Sequence, residues 1–217
     1  MGGRTPKQFL PLAGVSIIER TIAVFDAMAA VAEIIVVVPR PSLGRTASLV
    51  RRAGFDRVAS IVAGGKERRQ SVLAGIRACR HRSGVVLVHD AVRPLVSRSV
   101  ITGVIRAAAR YGAAVPALPV TDTIKTRGRA RRGFLSRTLP REELWAVQTP
   151  QGFRFRLLEE AHRIAARAGV TATDDASLVE RLGVHARVVP GADSNIKITT
   201  PRDRKLAELL IAGGKRG

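Results

Sequence analysis

Residues 33–39 read Glu-Ile-Ile-Val-Val-Val-Pro, five consecutive β-branched side chains between a carboxylate and a proline. A run that is apolar on both sides of the pleat suits a strand covered on both faces, as in a parallel sheet. Similar short runs recur at Arg57 to Ala63, Val85 to His89, Ala113 to Val120 and Val184 to Pro190. Between and beyond them lie helical stretches: Ser16 to Ala30, Gly44 to Ala53, Ser71 to Cys79, Ser97 to Tyr111, Phe155 to Ala168, Ala176 to Leu182 and Pro201 to Ala212. Ser71, Ser97 and Asp174 or Asp175 stand where N-caps are expected, and Pro201 suits a first helical turn. This alternation predicts an α/β fold: an open, doubly wound, mostly parallel sheet with helices on both faces, in one domain over 1–217. The stretch 119–145 breaks the pattern. Its polar, basic, Gly-containing centre between strand-like flanks predicts a projecting β-arm, which needs a partner to be stable and so predicts a homodimer.

The chain has 217 residues, 46% of them hydrophobic, and a single cysteine, Cys79. These values exclude a disulfide scaffold, a collagen-like repeat and a disordered tail. The apolar stretch from Ala27 to Val38 is broken by Glu33 and falls short of the ~20 residues that a membrane span needs. The first residues lack the plan of a signal peptide, so the cytoplasm is the expected compartment. The formal net charge is +20, yet all but six of the 37 basic residues are arginines scattered among Ala, Val and Gly. Nucleic-acid surfaces cluster their charge and add aromatic platforms, and aromatic residues make up only 4% here. The charge fits a solvated surface or one that gathers small anions, and no specific nucleic-acid partner is expected.

Ligands of open α/β sheets bind at the carboxyl ends of the strands. Val62-Ala-Gly-Gly-Lys-Glu-Arg-Arg-Gln-Ser71 follows a strand and opens a helix. Gly64, Gly65 and Ser71 there make either a plain capped turn or a loop whose N–H groups meet a base edge or phosphate. Val88-His-Asp-Ala-Val-Arg-Pro94 puts Asp90 just past a buried strand, with Arg93 as an anion fork. Asp90 either accepts loop N–H groups or meets Mg²⁺ beside polyphosphate oxygens; His89 reads as a packing or hydrogen-bonding core residue. Lys7 lies in a constrained loop, and Lys197 sits in an apolar alternation where its charge needs an anion or solvent. No Ser/His/Asp set, Cys/His pair, His cluster or Walker loop occurs.

GGKERRQSV (64–72), VHDAVRP (88–94), PVTDTIK (119–125), QTPQGF (148–153), TDDAS (173–177) and NIKIT (195–199), in this order and spacing, resemble the 2-C-methyl-D-erythritol 4-phosphate cytidylyltransferase family from Met1 to about Leu210. The resemblance implies a nucleotidyltransferase, Rossmann-like fold, a homodimer with interlocking arms, and Mg²⁺-dependent transfer of CMP from CTP to a sugar-alcohol phosphate in the non-mevalonate isoprenoid route. It implies that Lys7 stabilises the transition state and that Gly64, Gly65, Lys66 and Ser71 form the cytosine loop, Lys66 through its backbone. Asp90 is implied near a divalent cation, with Asp193 a further candidate. Arg93, Thr123 and Thr149 are implied at the methylerythritol phosphate, and Arg141 and Lys197 at the acceptor phosphate, Arg141 from the neighbouring subunit. A ribitol 5-phosphate cytidylyltransferase shares much of this pattern, as would a member of the fold without activity.

Family members begin with a buried strand running into a loop of the form Ala-Ala-Gly-x-Gly-x-Arg-Met, six residues ahead of the catalytic lysine. Here Met1 stands six residues before Lys7. The resemblance therefore implies that this first strand, its glycines and an arginine lie upstream of Met1, and that the chain turns CTP over poorly. Arg4 is not expected to replace that arginine. A strand of about five or six residues missing from a sheet leaves a gap with unpaired ladder groups on both sides.

Overall fold

The computed structural model describes residues 6–127, 133–170 and 172–213. After a 3₁₀ turn at Lys7–Phe9 come the short hairpin of β1 (Pro11–Leu12) and β2 (Val15–Ser16), then α1 (Ile17–Asp26), β3 (Ile34–Val38), α2 (Leu43–Ala53), β4 (Val58–Ala63), α3 (Arg68–Ala78) and β5 (Val85–Val88). The second half runs α4 (Arg98–Tyr111), β6 (Ala113–Pro119), β7 (Lys125–Arg127), β8 (Leu135–Thr138), β9 (Trp145–Val147), β10 (Gln151–Arg154), α5 (Phe155–Arg167), α6 (Ala176–Glu180), β11 (Arg187–Pro190) and α7 (Pro201–Gly213). The β-branched runs form strands as expected. Ser97 caps α4 by accepting from Val100 N–H, and Pro201 opens α7.

The fold is the expected α/β architecture, a mainly parallel sheet with helices on both faces. β11 and β6 pair in parallel, as do β3 and β4. β10 lies between β5 and β6 and is antiparallel to both, a strand that Gln-Gly-Phe-Arg, with no alternation, does not announce. Apolar clusters show the layers. Ile18 and Ile22 of α1 and Leu49 of α2 pack with Val36 and Val38 of β3, while Val104 and Ala108 of α4 pack on Ala114 of β6. On the opposite face Ile76 of α3, Leu158 of α5 and Val179 of α6 pack with Val115 and Phe153.

The sheet is divided. Among the described residues β3 pairs only with β4 and β5 only with β10, so the edges of β3 and β5 that face each other have no ladder. A cavity of about 630 Å³ lies between them. The two strands run in the same sense. Ahead of both, the Glu33 carboxylate accepts from His81 N–H at 2.9 Å; beyond β4 and β5, Arg68 and Asp90 meet at 4.0 Å.

The stretch 119–145 carries short strands and a turn. β7 and β8 pair antiparallel, a 3₁₀ turn follows at Arg141–Glu143, and β9 returns to pair with the end of β6. The basic centre at 128–132 lies outside the described residues, as does Arg4. Leu135 and Trp145 on this arm are 70% and 50% exposed. Among the described residues no helix is long and apolar enough to cross a membrane.

Candidate active site

The loop after β4 is built on two close approaches. A Cβ on Gly64 would sit 2.7 Å from Ser71 Oγ, and one on Gly65 would sit 2.3 Å from Gln70 Cβ, so a side chain at Gly64 would displace the Ser71 hydroxyl and one at Gly65 would require α3 to shift. Gly64 N–H donates to the Val38 carbonyl at 2.9 Å. α3 starts at Arg68 with Glu67 as N-cap, which corrects the expectation that Ser71 caps the helix. Ser71 instead reaches back: its Oγ accepts from Gly65 N–H and donates to the Glu67 carbonyl, both at 3.2 Å. Gln70 Oε1 accepts from Lys66 N–H at 2.8 Å and Glu67 N–H at 3.3 Å. The loop donors expected to face a ligand are therefore held by Ser71 and Gln70, and the Lys66 side chain is exposed.

β5 delivers Asp90, two residues beyond its end, to the same rim. Lys197 Nζ lies 3.0 Å from Asp90 Oδ2, Arg93 Nε 3.4 Å from the same oxygen, and an Arg68 guanidinium nitrogen 4.0 Å from Oδ1. Burial pushes the Asp90 carboxyl up, but Lys197, Arg68 and Arg93 together outweigh it and hold it below its ordinary value. One carboxylate thus faces three cations. The site has a surplus of positive charge, which suits a polyanionic ligand.

The backbone under Asp90 is fixed by a short polar chain. His89 is buried with its ring centroid 4.9 Å from that of Phe25, and burial lowers its pKa to about 4, so it is neutral near pH 7. Its Nε2 lies 3.1 Å from the Arg93 carbonyl, an acceptor only, which puts the proton on Nε2. Nδ1 is then an acceptor, and the Thr149 hydroxyl donates to it at 3.0 Å while accepting from Asp90 N–H at 3.1 Å. Thr149 is thereby locked beside Asp90. Buried Asn195 donates to the Thr149 carbonyl at 2.8 Å, and its own backbone carbonyl accepts from Arg93 at 2.6 Å. Ile198, packed with Leu12, Ile17 and Val92, donates its N–H to the Val92 carbonyl, and so anchors the segment that carries Lys197.

Sequence reading missed the anchor of Arg68. Its guanidinium lies 2.5 Å from Asp175 Oδ2, and buried His162 Nε2 lies 2.9 Å from Asp175 Oδ1. Asp175 is 2% exposed and stands at the N-cap position without capping through its side chain; Asp174 accepts from Ser177 N–H instead. The partners of Asp175 are far apart in sequence, and no local signal marks them.

The structure brings together Asp90, Arg93, Thr149 and Lys197, with the loop carrying Gly64, Gly65 and Ser71 joined through Arg68. Among the described residues no hydrogen bond or ion pair joins the other candidates to this group. Lys7 opens the 3₁₀ turn, and among the described residues its ammonium makes no hydrogen bond or ion pair. Arg141 is exposed on the arm and donates to the Thr121 carbonyl at 3.0 Å; Thr123 is exposed nearby. Asp193 is exposed. Among the described residues no three His, Cys, Asp or Glu side chains converge on a metal position. Asp90 thus fits a hard cation only as one ligand among phosphate oxygens and waters, the usual condition for Mg²⁺.

An α/β sheet carrying a cation-ringed carboxylate and a glycine loop at its strand ends defines a nucleotide-handling protein of the phosphoryl-transfer class. Comparison with known proteins narrows the class. The sequence model of the 2-C-methyl-D-erythritol 4-phosphate cytidylyltransferase (IspD) family matches residues 1–213, and the chain belongs to that family. It is 47% identical over 212 residues to the cytidylyltransferase of that name from Pelotomaculum thermopropionicum, covering 97% of this chain and 88% of that one. The Geotalea uraniireducens protein of the same name is 44% identical, with 97% and 91% covered. The crystal structure of the Thermus thermophilus protein superposes with a TM-score of 0.81 at 40% identity, covering 95% and 94%.

Proposed function

We propose that this chain transfers CMP from CTP to 2-C-methyl-D-erythritol 4-phosphate, releasing pyrophosphate, in the non-mevalonate route to isoprenoids. The observation that supports it most is the Asp90 carboxylate with Lys197, Arg93 and Arg68 around it. An oxygen of the acceptor phosphate attacks the α-phosphorus of CTP; the bond to the bridging oxygen breaks, and pyrophosphate leaves with the electron pair. The nucleophile is already an anion, so no base is required. What limits the reaction is bringing two anions together in line, which cationic side chains supply by position and charge.

Lys197 and Arg93 hold the acceptor phosphate, and Thr149, its proton committed to His89, accepts from an acceptor hydroxyl. Gly64, Gly65, Lys66 and Ser71 receive the cytosine when the inward bonds of Ser71 and Gln70 are exchanged for bonds to the base. Lys7 adds charge at the transferring phosphoryl group. Asp90 would hold Mg²⁺ or another divalent cation, which would supply neutralisation of the developing charge. Arg141 and Thr123 reach a site through the arm of a second subunit, a homodimer supported by exposed Leu135 and Trp145. The enzyme works in the cytoplasm. The test is pyrophosphate release: it should require both CTP and 2-C-methyl-D-erythritol 4-phosphate, and release with CTP alone would reject the assignment.

A further inference from the structure

Arg68 stands between two carboxylates. One terminal nitrogen of its guanidinium lies 2.5 Å from Asp175 Oδ2, while the other is 4.0 Å from Asp90 Oδ1, beyond hydrogen-bond reach. Asp175 is fixed on every side. Its Oδ1 accepts from His162 Nε2 at 2.9 Å, and neither side chain of that pair is more than 2% exposed. Gln151 Oε1 accepts from Asp175 N–H at 3.0 Å and from Ala176 N–H at 3.2 Å, while Gln151 Nε2 donates to Asp174. Gln151 pairs with Val88, two residues before Asp90. Both carboxylates are therefore placed from the same pair of strands, and their spacing sets where the guanidinium sits. Asp90 has closer partners in Lys197 and Arg93. Among the described residues Arg68 Nε and the nitrogen facing Asp90 donate no hydrogen bond, and the side chain is 31% exposed. A guanidinium presents its N–H groups as a planar fork that matches phosphate oxygens. Held on one side by a buried carboxylate and open on the other, Arg68 is set to receive an anion.

We propose that Arg68 is a further binding residue for the triphosphate of the nucleotide, and that Asp175 is its positioning residue, holding the guanidinium toward the site and away from Asp90. Arg68 follows directly on the loop 64–67 and faces Asp90. It therefore stands between the base loop and the divalent-cation position of the function proposed above, on which this inference rests. A guanidinium released from Asp175 has only to shorten its 4.0 Å separation from Asp90 to a charge-assisted hydrogen bond of about 2.8 Å. It would then cover the carboxylate and withdraw its N–H groups from the nucleotide. Loss of Asp175 should weaken triphosphate binding and leave the base contacts as they are. An ion pair that served stability alone would not distinguish a triphosphate from its nucleoside.

The test is equilibrium binding of CTP and of cytidine to the full chain, followed by NMR titration in EDTA, so that neither turnover nor a cation at Asp90 enters the readout. Arg68→Met should raise Kd for CTP by at least about fivefold and Kd for cytidine by less than about twofold. Asp175→Asn should show the same pattern. In the double variant Arg68→Met/Asp175→Asn the losses should not add: Kd for CTP should stay within about twofold of Arg68→Met alone, because the group through which Asp175 acts is gone. An unchanged Kd for CTP in Arg68→Met overturns the proposal, and so does an equal loss for cytidine, which marks a disturbed fold. Additive losses overturn the positioning role of Asp175. If Asp175→Asn does not fold, Arg68→Met, a change at a partly exposed side chain, decides through its two ligands. Failure of the wild-type chain to bind CTP would overturn the proposed function as well, whereas CTP bound equally by wild type and Arg68→Met overturns this inference alone.

Discussion

Replacing Lys197 with Met keeps the aliphatic stem and removes the ammonium that lies 3.0 Å from Asp90. The fold should hardly notice. Asp90 retains Arg93 at 3.4 Å and Arg68 at 4.0 Å. The Lys197 side chain is 47% exposed, so the lost pair is screened and contributes at most about 1 kcal/mol. The reaction should lose more. One charge-assisted hydrogen bond to a phosphate contributes about 1.5–3 kcal/mol, which converts to a ~10- to 150-fold fall in kcat/KM for the acceptor. The assay is pyrophosphate release with each substrate varied in turn, alongside thermal unfolding of the same preparation. The expected pattern is a fall confined to the acceptor, with KM for CTP changed less than about twofold and Tm within a few degrees of the wild type. A rate loss that tracks a large fall in Tm, or one that appears only in KM for CTP, would refute this role for Lys197.

Arg141→Ala and Lys197→Ala subunits should each be slow alone, while verified mixed dimers should recover part of the activity, since one intact site forms if Arg141 acts across the interface; no recovery argues against that. Asp90→Asn should lower activity strongly and weaken Mg²⁺-dependent CTP binding, measured by calorimetry with and without the cation; unchanged metal dependence would remove Asp90 from the metal site. The His89 pKa falls from 6.5 to about 4 in the folded protein, so the native state binds fewer protons than the unfolded chain. The resulting stability is complete above about pH 6.5 and is lost as pH falls from there towards 4. Urea unfolding at pH 7 and 5 should show the wild type losing about 2 kcal/mol that His89→Gln does not lose, and equal pH slopes would be the contrary result.

The strands were legible where β-branched residues run together, as at 34–38 and 85–88, because a strand buried on both faces needs no alternation. β10 was not: Gln151 and Gly152 carry no strand signal, and their place is set by pairing with Val88 and Leu87, which are distant in sequence. The start of α3 was misplaced for a similar reason. Ser71 looks like a cap from its neighbours, but its hydroxyl serves the glycine loop behind it. Asp90, Arg93 and Lys197 could be singled out by charge and position, whereas Arg68 could not, since its anchor on Asp175 and His162 depends on tertiary packing. The stretch 119–145 was visible as an interruption of the α/β rhythm, whereas the exposure of Trp145 and Leu135 depends on the folded chain.

The most direct test of the proposed reaction is ³¹P NMR of the protein at high concentration with CTP, Mg²⁺ and an equimolar mixture of 2-C-methyl-D-erythritol 4-phosphate and ribitol 5-phosphate. The expected result is loss of the methylerythritol phosphate resonance, with a diphosphodiester and pyrophosphate appearing together. Its turnover should exceed that of the ribitol ester by at least about tenfold, and Asp90→Asn should lower it strongly. Consumption of ribitol 5-phosphate in preference, or no diphosphodiester above the level seen with Asp90→Asn, would contradict the assignment.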